Sequence, residues 1–135
     1  LHQALELIQT KEEIQPYAKR LKLQGKLAAN QESLFCDQLL STITHPDMKD
    51  WFSGDCLEMK EREIIDENGD TYRPDRIILY PGQTIILDFK TGTPRNKDEQ
   101  QIKKYNDLLN ELGYSNIKNY LFYIENGDLV KVNIQ

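Results

Sequence analysis

Seven residues in the second half of the chain, Thr84-Ile85-Ile86-Leu87-Asp88-Phe89-Lys90, constrain its fold more than any others. The stretch is short, β-branched and aromatic. Pro81-Gly82 and Gly92 bound it, as expected of a strand buried within a sheet. An aspartate ending such a strand is costly unless something pairs with it. Side chains alternate along a strand, so Asp88 and Lys90 point to one face. The chain must therefore build a sheet around this segment and give its carboxylate a partner.

The turn before the strand suggests what that partner is. If Pro81-Gly82 is a two-residue turn, Tyr80 faces Gln83, and the same register sets Asp75 opposite Asp88. Their side-chain bases are then about 4.5–5.5 Å apart, and like charges so placed destabilise a sheet. A divalent cation between them turns the repulsion into coordination, and magnesium favours carboxylates with water and phosphate oxygens. Such an ion can polarise a phosphoryl oxygen and acidify a water, as phosphodiester hydrolysis requires. A neighbouring lysine can orient or deprotonate the water, or stabilise developing charge.

The remaining pattern predicts helices first and a sheet afterwards. Leu1, Ala4, Leu5 and Ile8 recur at helical spacing. Thr10 is a cap for a second helix from Lys11 to Gly25, with Pro16 in its first turns and Tyr17, Ala18 and Leu21 as its buried stripe. Asn30 opens a third helix through Phe35, Leu39, Leu40 and Ile43, stopped at His45-Pro46. Strands follow over Glu61–Asp66, Tyr72–Tyr80 and Thr84–Lys90, the first two joined by a hairpin turn at Asn68-Gly69. Asp98 caps a helix to Leu112 whose apolar face is Ile102, Tyr105, Leu108, Leu109 and Leu112, with Gly113 as its stop. Tyr120–Ile124 and Leu129–Ile134 form a last hairpin around Asn126-Gly127. The expectation is an α/β (α+β) fold with a mixed sheet flanked by helices. One domain spans 1–135, with a helical part over 1–52 and a sheet-rich catalytic core over 58–135.

Composition bounds the function. A chain of 135 residues, 39% hydrophobic and 29% charged, fits one globular domain. No apolar run reaches the roughly 20 residues of a membrane span, no signal-peptide pattern opens the chain, and no phosphate-binding G-x-x-x-x-G-K-[ST] loop is present. The opening at Leu1, inside a helical pattern, leads us to expect a fragment of a longer protein. The two cysteines, Cys36 and Cys56, have neither zinc nor iron–sulfur spacing and read as reduced, buried thiols of a cytosolic protein. A formal net charge of −5 argues against tight autonomous DNA binding but not against a DNA enzyme, because metal-holding carboxylates count as bare charge.

Three segments together carry a resemblance: Arg73-Pro74-Asp75-Arg76, then Asp88-Phe89-Lys90-Thr91-Gly92, then Gln101-x-x-x-Tyr105. In this order they resemble the PD-(D/E)XK nuclease superfamily, and within it the RecB/AddA-type nuclease domain at the C-terminus of ATP-dependent helicase–exonucleases that process double-strand breaks. The resemblance implies a restriction-endonuclease-like core and hydrolysis of DNA with Mg2+ or Mn2+. It implies Asp75, Asp88 and Lys90 as catalytic residues, and His2, Asp75, Asp88 and the backbone carbonyl of Phe89 as metal ligands. His2 enters through His2-Gln3-Ala4-Leu5-Glu6. Gln101 and Tyr105, at i and i+4, would contact DNA or support Lys90. A glutamate often lies on the preceding strand in this family, but a two-residue turn at Asn68-Gly69 sets Arg62 opposite Asp75, so Glu61 is a weak candidate. Some relatives hold an iron–sulfur cluster through four cysteines; none is expected here.

The implied partners are DNA single strands delivered by a fused helicase motor, which would supply any use of ATP, and an AddB/RecC-like subunit. No membrane partner is expected, and the implied location is the cytoplasm. Two other readings compete: a catalytically inactive nuclease-like module that binds DNA or scaffolds a partner, and a stand-alone restriction- or resolvase-type enzyme. In the leading reading, Asp88→Ala abolishes metal binding and cleavage while leaving the fold intact.

Overall fold

A computed structural model describes residues 1–54, 57–59 and 63–134. Its chain divides into two units, Leu1–Asp55 and Cys56–Gln135. Glu61 and Arg62 lie outside the described residues, as does Cys56.

The N-terminal unit is helical. Helix α1 (His2–Leu7) buries Ala4 and Leu5. Thr10 then stands at a cap position, where the Glu13 carboxylate accepts its backbone N–H at 2.8 Å. The helix expected over Lys11–Gly25 starts there as a 3-10 turn, Lys11–Glu13, and becomes α-helical only as α2 (Ile14–Leu23). Pro16 occupies the first turn of α2, where its missing N–H forfeits no helical bond. Gly25, at φ +73°, ends the helix in a left-handed conformation that favours glycine. Tyr17 and Ala18 of the expected stripe are buried and Leu21 is half-buried.

A second 3-10 turn, Ala29–Gln31, contains the expected start at Asn30 and leads into α3 (Glu32–Ile43). Cys36, Leu39 and Ile43 are buried, whereas Leu40 is 43% exposed. Adjacent residues point about 100° apart on a helix, so Leu39 and Leu40 do not share one stripe. A last 3-10 turn, Lys49–Phe52, buries Trp51 and Phe52.

The C-terminal unit follows as β1 (Leu57–Met59), β2 (Ile64–Ile65), β3 (Thr71–Tyr72), β4 (Arg76–Tyr80), β5 (Gln83–Lys90), α4 (Asn96–Glu111), β6 (Ile117–Tyr123) and β7 (Asp128–Val132). Five strands form one sheet in the order β1-β4-β5-β6-β7, and β2 pairs with β3 in a second, two-stranded sheet among the described residues. Strands β5 and β6 run parallel and the other neighbours antiparallel, so the sheet is mixed and the fold is α+β as expected. Helix α4 supplies the crossover between the parallel pair. No described helix is long and apolar enough to cross a membrane.

Two local expectations are corrected. The strand expected over Tyr72–Tyr80 is broken at Arg73-Pro74-Asp75, because proline has no N–H to give a ladder. The Asn68-Gly69 hairpin has a three-residue loop, not a two-residue one. Gly69 N–H bonds Asp66 O at 3.1 Å, Gly69 takes φ +83°, and Asp66 N–H bonds Asp70 O at 2.9 Å. Pairing is therefore Ile64 with Tyr72 and Ile65 with Thr71, one residue away from the register that set Arg62 opposite Asp75. The last two strands also begin earlier than expected, at Ile117 and Asp128.

One face of the sheet carries Ile77, Ile86, Leu121, Tyr123 and Val132, which join Ile102, Tyr105, Leu108 and Leu109 of α4 in a buried cluster. Burying each such side chain contributes about 1.5–3 kcal/mol. Leu112, expected on the same helix face, is 63% exposed at the C-cap. The chain leaves the helix there through Gly113 at φ +100°, and Tyr114 packs on the cluster instead.

Ile86 is fully buried at the centre of this layer. Ile86→Ala is therefore expected to lower unfolding free energy by about 2–5 kcal/mol through lost burial and a residual cavity. Leu112→Ala should stay within about 0.5 kcal/mol of wild type, as an exposed substitution does. Urea unfolding of the two variants checks the contrast.

Candidate metal centre

The register of β4 and β5 decides the geometry of the site. Tyr80 pairs with Gln83, Ile78 with Ile85 and Arg76 with Leu87, the register expected from a two-residue Pro81-Gly82 turn. One step further, Asp75 stands opposite Asp88; two steps further, Pro74 stands opposite Phe89. The regular ladder stops at Arg76, since Pro74 has no N–H for the next backbone bond.

Carboxylates take over where the ladder stops. Asp75 Oδ2 accepts the Phe89 N–H at 2.8 Å, and Asp88 Oδ1 accepts the Asp75 N–H at 3.1 Å. Each aspartate thus bonds the backbone of the opposite strand, which ties the acidic pair together. N–H and C=O of one strand residue point to the same side, so the Phe89 carbonyl is directed toward Asp75. Asp88 is 3% exposed and Asp75 is half-buried.

Lys90 compensates this charge. It lies two residues beyond Asp88 on the same face, and its Nζ is 2.7 Å from Asp88 Oδ2. It also donates to Oε1 of Gln101 on α4. Tyr105, one turn beyond Gln101, is buried on the face of α4 toward the sheet. Burial, followed by the charges of Asp88 and Asp75, pushes its phenol far above the ordinary range, so it remains a proton-bearing donor.

The donor set suits a hard divalent cation. Both carboxylates and the Phe89 carbonyl offer oxygen, and a carboxylate that has accepted one or two hydrogen bonds retains acceptor capacity. Of the sequence candidates, Asp75, Asp88, Phe89, Lys90 and Gln101 are joined by direct hydrogen bonds or ion pairs, and Tyr105 lies within their electrostatic reach. His2 lies in the N-terminal unit on α1, with its Nδ1 3.6 Å from Glu6 Oε1 one turn along the helix.

Sequence reasoning missed the fuller role of Asp98. Arg95, not Asp98, is the N-cap of α4, and Asp98 is the third helical residue. Its buried carboxylate accepts the Arg95 N–H and the Tyr123 hydroxyl, each at 3.1 Å. Arg95 Nη2 lies 3.6 Å from its other oxygen. An acidic side chain three residues after a loop was the available signal for the reciprocal cap; the bond to Tyr123 had no sequence signal.

No protein-family model matches the chain, and no curated protein matches it.

Two expectations follow from these bonds. Asp88→Ala keeps the sheet but removes an acceptor from the Asp75 N–H and from Lys90. The sequence expectation of an undisturbed fold thus becomes a loss of about 1–3 kcal/mol, read from urea unfolding. The second concerns Tyr123, whose phenol is pushed up to about 12 by burial, then by the hydrogen bond and charge of Asp98. A folded value above the unfolded one, about 10, means that the native state holds the proton more tightly. Its stabilisation is complete below about pH 10 and is lost as pH rises through about 12. Tyr123→Phe should lower stability near neutral pH by about 1 kcal/mol and flatten the alkaline decline. Unfolding midpoints at neutral pH and at about pH 11 measure both effects.

Proposed function

We propose that the chain is a metal-dependent deoxyribonuclease domain of the PD-(D/E)XK type. It would hydrolyse DNA phosphodiester bonds as the nuclease part of a RecB/AddA-like helicase–exonuclease acting in double-strand break repair. The observation that carries the reading is the bonded trio of Asp75, Asp88 and Lys90, with the acidic pair bridged through backbone N–H groups and the lysine ion-paired to Asp88. An acidic pair on adjoining strands with a cation beside it is the arrangement that phosphoryl chemistry demands.

In this reading Asp75, Asp88 and the Phe89 carbonyl would hold Mg2+ or Mn2+. Such an ion, when bound, polarises a phosphoryl oxygen and yields a nucleophilic water near neutral pH. Lys90 directs positive charge at the scissile phosphate, where negative charge grows as the P–O bond breaks. Gln101 restrains the ammonium, and the Tyr105 hydroxyl contributes a fixed donor beside the carboxylates. The substrate would be single-stranded DNA supplied by a fused motor that uses ATP, alongside an AddB/RecC-like subunit, in the cytoplasm. A net charge of −5 makes such delivery the natural source of backbone grip. The same charge favours the second reading, a nuclease-like module without catalysis that binds DNA or a partner.

Manganese-dependent cleavage of single-stranded DNA by the chain, beside Lys90→Ala, tests the reading. Wild type is expected to cleave, while Lys90→Ala binds the metal yet loses about 100-fold or more in rate. Cleavage at the wild-type rate by Lys90→Ala rejects the site. Metal-independent DNA binding without cleavage by the wild type would select the inactive module.

A further inference from the structure

We propose that Tyr123 and Asp98 are positioning residues for Lys90, acting through helix α4 and Gln101. The inference rests on the reading of Lys90 as the reactive cation, but the geometry stands independently of it.

Four side chains on three elements close a circuit. Lys90 on β5 and Tyr123 on β6 are register partners across the parallel pair. The backbone bond from Ile124 N–H to Lys90 O, 3.0 Å, fixes their alignment. Tyr123 belongs to the cluster facing α4, and its hydroxyl reaches the buried Asp98 carboxylate. Asp98 also holds the Arg95 N–H, so a single carboxylate caps the helix and fastens its first turn to β6. Three residues later, Gln101 lies nearly one turn on and accepts from the Lys90 ammonium.

The ends of this circuit differ in firmness. Gln101 is an exposed side chain with several rotatable bonds, and alone it would sample many rotamers. Lys90 likewise has a long stem with several rotatable bonds, and its side chain, 16% exposed, is held by Asp88 and by Gln101. Asp98 and Tyr123 are 3% and 2% exposed and have little room to move. The rigid half sets the height and rotation of the α4 N-terminus over the sheet. That placement determines whether the Gln101 amide reaches Lys90. The phenol keeps its proton across the neutral range, so the Tyr123 hydroxyl remains the donor this bond needs.

The test uses the chain without metal or DNA and reads side-chain amide relaxation of Gln101 by NMR. In wild type this amide should be ordered, with an order parameter near about 0.8; in Tyr123→Phe, which retains the ring, it should drop below about 0.6. Asp98→Asn, with Tyr123 intact, keeps an oxygen for the hydroxyl and should retain the wild-type order. A folded Tyr123→Phe protein with an unchanged Gln101 amide overturns the proposal. If the wild type cleaves DNA, Tyr123→Phe should also lower kcat about tenfold with KM unchanged, and should add nothing in a Gln101→Ala background. A full Tyr123→Phe effect in that background overturns action through Gln101. A wild type that fails to cleave, with the amide ordered and then released as expected, leaves the circuit standing and removes the nuclease reading.

Discussion

The use of carboxylates in place of backbone carbonyls to accept N–H groups at the end of the β4–β5 hairpin is the constraint on which the site depends. Pro74 denies the ladder its next bond, and a strand end left so would expose or orphan peptide groups. Asp75 and Asp88 supply acceptors for the N–H groups that remain there, each accepting from the opposite strand. The proline thus ends the regular sheet at the point where the hairpin register sets two acidic side chains opposite each other. Sheet termination and site formation are a single event in this chain.

Around that event the C-terminal unit assigns its layers consistently. Strand β5 is central and carries an apolar run, so it is buried on both faces, and its polar residues stand at its two ends. Helix α4 brings an apolar stripe for the sheet, Gln101 for Lys90 and, one turn further on, Tyr105 beside the acidic pair. The apolar cluster fixes where α4 lies, and the polar contacts near its start depend on that placement. In the proposed reading, the stability of the sheet–helix layer and the geometry of the reactive groups are therefore coupled.

Much of this was legible in the residues. The Pro81-Gly82 turn and the apolar run Ile85-Ile86-Leu87 determined the register that sets Asp75 opposite Asp88, and alternation put Lys90 on the face of Asp88. Other features were hidden because they follow from competition between local and tertiary terms. Asn68-Gly69 suits more than one hairpin length, and only the pairing of Ile64 with Tyr72 reveals that a third residue joined the loop. The break at Pro74 was written in the sequence, yet the period of apolar residues on either side masked it. Leu112 matched the helical stripe, but the chain had already begun to leave the helix through Gly113. The bond from Tyr123 to Asp98 joins residues 25 apart, and no local pattern encodes a contact that a crossover connection creates. The role of His2 came only with the family resemblance; the local partner it displays, Glu6, is what i, i+4 spacing dictates.

The parallel pairing of β5 with β6 also orders events in time. The acidic pair is closed by contacts 13 and 14 residues apart, within one antiparallel hairpin. Pairing β6 requires the whole crossover to be laid down first, a longer loop with a larger entropic cost before any reward. A folding chain therefore gathers its negative charge early and fastens the helix that steadies its lysine late.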